Sequence, residues 1–256
     1  TGTVSNGNEA LIRGLTYTGT NGVNTNLGSL TLMGSNTYNG LTTVTAGTLR
    51  VGNNSALGTG TLVLNGGALS ASDSVTARTL TNNFLVSNNA TLGDSVNSAA
   101  LTFNGTGNLG TTTRIITNNS AVTFSGVLSN TAGITKAGTG TLTLAAANTY
   151  TGTTTVNAGT LAYGINDAIV NANAVTVNGG TFDIGAFSDT VGAVTLGSGT
   201  ISGGTGTLTG SSYTVNNASG NTLISAILGG NGTLTKTGAG ILSIARTNAL
   251  PGWSTS

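Results

Sequence analysis

A chain of 256 residues in which Thr, Gly and Asn fill 51, 42 and 31 positions leaves little room for reactive side chains; 5% of residues are charged, the net charge is +1, and His and Cys are absent. This composition excludes Ser-His-Asp and Cys-His triads, disulfides and zinc sites built from the usual ligands, and it supplies no basic stripe for nucleic acid. Hydrophobic residues still reach 37%, too many for a disordered polar chain. No apolar run approaches the roughly 20 residues that span a bilayer. Helix is disfavoured throughout, because Gly costs about 1 kcal/mol per helical position relative to Ala, and Thr, Asn and Val are poor formers. With Pro251 the single proline, turns fall to Gly and Asn, which enter positive φ most cheaply.

In chain order, the first clear element is Leu30-Thr-Leu-Met-Gly-Ser-Asn-Thr-Tyr-Asn-Gly-Leu-Thr-Thr-Val-Thr-Ala-Gly-Thr-Leu49. Its second half, from Thr43, reads as a short strand, a tight turn and another short strand. That unit recurs as Leu62-Val-Leu-Asn-Gly-Gly-Ala-Leu69 and Leu101-Thr-Phe-Asn-Gly-Thr-Gly-Asn-Leu109. The whole element returns without a gap at Leu142–Leu161, aligning Asn36 with Asn148, Tyr38 with Tyr150 and Leu49 with Leu161. Val175–Phe182 and Val194–Ile201 follow as gapless copies of each other, and Leu234–Ile244 repeats Ile134–Leu144 in the same way. Two series of apolar positions, Val44, Leu64, Val86, Phe103, Phe124 and Leu144, then Val156, Val177, Leu196 and Val215, recur at uneven steps of about 20 residues.

Periods of about 20 residues mark solenoids. Alternate side chains of a strand face opposite sides, so Val, Leu, Ile and Phe point inward and the intervening Thr faces out. One coil cannot bury its own apolar side chains and must stack on copies of itself. The expected fold is therefore all-β, a right-handed parallel β-helix (a β-solenoid) of about a dozen coils of roughly 20 residues. Residues 1–256 are expected to form a single continuous segment of it, an internal piece of a longer polypeptide, since the first residues already resemble mid-repeat sequence. At about 4.8 Å per coil the rod is roughly 60 Å long. Asn-Gly at Asn39, Asn65, Asn104, Asn178 and Asn231 is also a hairpin signal, and a sandwich or antiparallel barrel is the competing reading. Gapless copying of strand, turn and strand favours corners over hairpins.

The stretch Gly138 to Leu161 closely resembles the autotransporter-associated β-strand repeat, also called the passenger-associated transport repeat. The family pattern Gly-x-Gly-Thr-Leu-Thr-Leu, a spacer, Asn-Thr-Tyr-Thr-Gly and Thr-Thr-Val-x-x-Gly-Thr-Leu is met at Gly138, Gly140 to Leu144, Asn148 to Gly152 and Thr154 to Leu161. The earlier copy keeps Asn36, Thr37, Tyr38, Gly40, Thr43, Val44 and Gly47 to Leu49 but has Asn39 after the Tyr, and Gly232 to Ile244 matches the first half alone. The resemblance implies a surface-exposed or secreted bacterial protein with a β-helical passenger. It brings no catalytic residues.

Candidate chemistry is sparse. Arg50, Asp73, Asp94 and Arg114 succeed one another at steps of roughly 20 residues, near one coil each. If stacked, they form either a polysaccharide-cleaving constellation or an exposed ion-pair ladder worth about 0–1 kcal/mol per pair; their uneven register favours the ladder. Lys136 and Lys236 occupy equivalent positions and suggest a solvated edge. Phe84, Phe103, Phe124, Phe182 and Phe187 are expected to fill the interior, and Tyr38 and Tyr150 to pack within the repeat rather than stack on sugars. No catalytic, cofactor-binding or metal-binding residue is expected.

The expected function is a structural and adhesive stalk or passenger segment on the bacterial outer surface or outside the cell, without catalysis. Its expected partners are itself, end to end or laterally, or surface polysaccharide, with no nucleic acid and no membrane-spanning segment. The alternatives are a subunit of an extracellular filament and a polysaccharide-binding or polysaccharide-cleaving β-helix. Ice binding through Thr141/Thr143 and Thr153/Thr155 would need a long flat face, against which the uneven coil lengths argue.

Overall fold

The computed structural model describes residues 28–246 and the backbone of the strand Leu15–Tyr17. These residues form β-strands joined by turns, with no helix among them. Every strand pair in the three sheets is parallel, so the Asn-Gly turns at Asn39, Asn65, Asn104, Asn178 and Asn231 are corners and not hairpins. The sheets form the sides of a β-solenoid of about 11 turns. The first side holds Leu15–Tyr17, Thr42–Val44, Leu62–Leu64, Phe84–Val86, Gly107–Asn108 and Leu128–Ser129. The second runs from Ser29–Leu32 to Leu234–Lys236, and the third from Arg78–Leu80 to Ile241–Ile244.

The two kinds of repeat relate differently to these sides. Ile134 pairs through Thr154, Val175, Val194 and Tyr213 to Leu234, so the step from Ile134–Leu144 to its copy is five whole turns on one side. The step between the two long copies is not a whole number of turns. Thr42–Val44 lies on the first side while its copy Thr154–Val156 lies on the second, and Ser29–Leu32 lies on the second while Thr141–Leu144 lies on the third. The repeat therefore fits any side. The same displacement divides the apparent column from Val44 to Leu144: Val44, Leu64 and Val86 align on the first side, whereas Phe103, Phe124 and Leu144 align on the third.

One core runs the length of the stack, from Leu32 to Leu228. Inward Val, Leu and Phe are fully buried, and each contributes about 1.5–3 kcal/mol by leaving water. Phe84, Phe103 and Phe124 meet with ring centroids 5.2–5.3 Å apart, and Phe182 packs edge-on against Tyr163 at 5.2 Å. Phe187 departs from the expected interior position and is only partly buried against the core.

The corner between the second and third sides explains the recurrent Gly-Thr. Gly138, Gly159, Gly180 and Gly199 all hold positive φ, and a Cβ on any of them would run into a carbonyl oxygen of the coil before it. Glycine is needed twice over there, for its backbone angle and for the close approach.

Candidate functional site

The two copies of the long repeat make the same pair of contacts. Asn36 Nδ2 donates to the Ala56 carbonyl at 2.7 Å, and Asn148 Nδ2 donates to the Ala168 carbonyl at 2.8 Å. Asn148 Oδ1 also accepts from the Leu128 N–H at 2.8 Å, so one amide joins the coils on either side of it. The hydroxyls of Tyr38 and Thr42 lie 2.8 Å apart and those of Tyr150 and Thr154 2.7 Å apart. Thr42 and Thr154 point inward and are fully buried, so the tyrosine hydroxyl is what satisfies a threonine in the core. Both tyrosines are thus packing residues, and burial pushes both hydroxyls above their ordinary value.

The second of the two tyrosines sits where the first side loses its strands. Over 145–153 and again over 164–174 the chain crosses that side without forming a strand, and side chains supplement the backbone bonds that still join the coils there. Asn148 serves the coils at Leu128 and Ala168, Asn173 Nδ2 donates to the Tyr150 carbonyl at 2.7 Å, and Asp189 Oδ2 accepts from the Ile169 N–H at 3.0 Å. Unpaired buried backbone groups are costly, which makes these polar residues structural.

The lysines overturn the expected solvated edge. Lys136 is in register with Val156, an inward position, and is fully buried. Its ammonium donates to the carbonyls of Ala137, Gly138 and Ala158 at 2.8, 2.9 and 3.0 Å. Register explains the substitution. Between Lys136 and Thr141 the corner has four residues, where the paired coil has three between Val156 and Thr160, and the ammonium fills the longer corner. Burial pushes Lys136 down to about 8. Lys236 holds the equivalent place, is exposed, and reaches only the Gly238 carbonyl.

The four charged residues expected to stack do so in part. Arg50 reaches past Ser70 to Asp94 at 3.4 Å, while Asp73 pairs with Arg78 at 2.6 Å. Arg114 enters neither ion pair. Arg78 went unrecognised in the sequence, although it lies shortly beyond Asp73 on the same turn. Asp73 Oδ1 accepts from the N–H groups of Val75 and Thr76, which hold the carboxyl below its ordinary value. For Asp94 burial acts upward, but the N–H groups of Asn97 and Val96 outweigh it and the carboxyl is again lowered. Two carboxylates tied to loop backbone and kept ionised suit turn formation. They lack the raised member of an acid/base pair.

The outer faces carry the most regular feature. Thr135, Thr155, Thr176, Thr195, Thr214 and Thr235 are in register on the second side. Thr141, Thr160, Thr181 and Thr200 do the same on the third. Coil lengths do vary, but corners absorb the difference and the threonines stay in register. Beside the longer column, exposed Asn157, Asn178 and Asn216 line the adjoining corner, and Asn178 Nδ2 donates to Asn157 Oδ1 at 3.2 Å. On the opposite flank of the second side, a cavity of about 210 Å³ is lined by Asn166, Asp167, Ser188, Asp189, Thr190, Thr207 and Thr209. Among the described residues, no cluster of three or more metal-ligating His, Cys, Asp or Glu occurs, and no helix is long and apolar enough to cross a membrane.

Comparison with known proteins agrees with this architecture. An alignment 205 positions long, covering 74% of the chain, is 36% identical to an adhesin BmaC autotransporter from Brucella suis biovar 1 (strain 1330), and the match spans 6% of that protein's length. No solved structure matches the chain. The model of the passenger-associated-transport-repeat family matches residues 23–51 and 134–162, which contain Asn36 and Tyr38 and their counterparts Asn148 and Tyr150. The chain carries two passenger-associated transport repeats within one β-solenoid.

Proposed function

We propose that the chain is a structural, adhesive stalk segment of a bacterial passenger displayed on the outer surface or released from it, one continuous β-helix within a longer polypeptide. The observation that carries this reading is the unbroken parallel ladder of the second side, from Ser29–Leu32 to Leu234–Lys236, which makes a rod whose outer faces repeat one chemistry. The likeness to an adhesin supports it, as does the way Lys136, Asn148 and Asn173 are taken up by contacts between coils. The adhesive surface is the second side, where a threonine column and adjoining asparagines offer neutral donors and acceptors at each coil step. A neutral surface polysaccharide is the partner this chemistry fits, because hydroxyl and amide groups meet sugar hydroxyls without a desolvated charge.

A triple variant, Thr155→Lys, Thr176→Lys and Thr195→Lys, tests the assignment. All three positions face outward, so unfolding should be little changed while binding of cells or beads bearing the protein to polysaccharide-coated surfaces is lost. Undiminished binding by the folded variant would remove the second side from the adhesive role.

A further inference from the structure

Asp189 stands in the core with no charged partner. It is 2% exposed and in register with Leu208, which is in turn in register with Leu228, so a carboxyl heads a column of leucines. Its Oδ2 accepts from the Ile169 N–H at 3.0 Å, while Oδ1 has no hydrogen-bond partner. The Tyr163 hydroxyl, on a side chain 5% exposed, is also unpartnered and lies against that carboxyl. The titratable groups facing Asp189 are Tyr163 from the strand Thr160–Tyr163, Tyr150 from the corner before it, and Asp167 from the stretch that the Ile169 bond anchors. The coil on its other face presents Leu208. Among the described residues no Lys or Arg forms an ion pair with it.

We propose that Asp189 is an acid-set latch: uncharged, it seals the strandless stretch 164–173 onto the strand Asp189–Leu196, and ionised, it is a lone buried charge that loosens this joint. Several features place the latch at this joint. The stretch forms no strand on the first side; the Asp167 N–H donates to the Ser188 carbonyl at 3.0 Å and the Gly192 N–H to the Asn173 carbonyl at 2.8 Å, and between these two backbone bonds the Ile169 N–H depends on a side chain. Asp167, with positive φ of 52°, holds a second carboxyl close by, and the two repel when both are ionised. A protonated Asp189 removes that repulsion and the cost of a buried charge, which outweigh the Tyr163 hydroxyl and the Ile169 N–H, both of which favour the ionised form.

Burial, aided by Asp167, pushes the Asp189 carboxyl up to about 6 from an ordinary 3.8. A raised carboxyl takes its proton in the folded state first. The stabilisation is complete below the ordinary value and is lost as pH rises through about 6.

Amide hydrogen exchange, expressed as protection relative to the free peptide at each pH, reads the joint directly. A difference of about two units between closed and open states corresponds to a local opening constant about a hundredfold smaller in acid than at neutral pH. The Ile169 amide should therefore lose protection of that order as pH rises from 3.8 to about 6 and change little above it, with amides of the first coils unaffected. Asp189→Asn, which keeps the shape without the charge, should abolish the step. The same step in Asp189→Asn would overturn the proposal. Independently of any variant, the carboxyl-carbon resonance of Asp189 in the wild-type protein should titrate near 6; a midpoint at the ordinary aspartate value would also overturn it.

Discussion

Lys136 and Lys236 stand five turns apart on the same side of the solenoid, each in a Thr-Lys-x-Gly-x-Gly corner. The first is sealed in the core with its ammonium held by three carbonyls, one of them, Ala158, belonging to the following coil. The second is exposed and holds one carbonyl of its own turn. The difference lies in what covers them. Within the described residues, Val156 lies beside Lys136 from the next coil, whereas Lys236 ends the ladder on its side. Burial in a stacked architecture is supplied by the neighbour as much as by the residue, so a local motif fixes where a side chain points and the next coil fixes what that costs.

The largest test of this comparison is Lys136→Met against Lys236→Met. The first strands three carbonyls and should cost about 2–4 kcal/mol, while the second should stay within about 0.5 kcal/mol. Urea-induced unfolding of the two variants checks the contrast, and equal losses would break it. The two copies of the long repeat sharpen the same point, because both lie inside the stack. Asn148→Ala and Asn36→Ala should each cost about 1–3 kcal/mol, since both amides donate to a carbonyl of the following coil. Thermal unfolding of the two variants should show comparable losses. Tyr150→Phe and Tyr38→Phe each remove one hydroxyl facing a buried Thr and should cost about 0.5–1.5 kcal/mol, alike within error in the same measurement.

The same lysine carries a pH dependence. Burial lowers Lys136 to about 8 from an ordinary 10.5, so the folded chain releases this proton before the unfolded chain does. Wild-type stability should therefore rise relative to Lys136→Met as pH climbs from about 8 to the ordinary value. A difference between the two proteins that stays flat over that window would count against a destabilised ammonium.

Much of the fold was legible because alternation and period are carried by every coil. The strands, the parallel stacking, the Asn-Gly corners and the packing of Tyr38 and Tyr150 all follow from residues that recur. What escaped the reading depends on relations between coils. The gapless match of the two long copies concealed a shift by one side, and the column from Val44 to Leu144 proved to be two. Lys136 was misplaced although its signal was present: Thr135-Lys136 aligns with Thr155-Val156, and Val156 is inward. Its charge outweighed its phase. Asp189 gave no signal, because it lies outside the best-kept copies, in a coil whose predecessor has no strand on that side. The ion pairs were half visible, since spacing brought Asp94 under Arg50 but could not show Arg78 turning back to Asp73.

The ladder bonds of the solenoid lie along its long axis, and this governs how the rod meets force. A pull on the chain ends does not shear many bonds at once; it opens one coil, then the next. Each coil of roughly 20 residues adds about 4.8 Å to the standing rod and yields up to roughly 70 Å when drawn out. Under tension each coil surrendered lengthens more than tenfold while the remaining coils keep their order. A rod that gives way in instalments dissipates a sudden load that would otherwise reach whatever it is joined to.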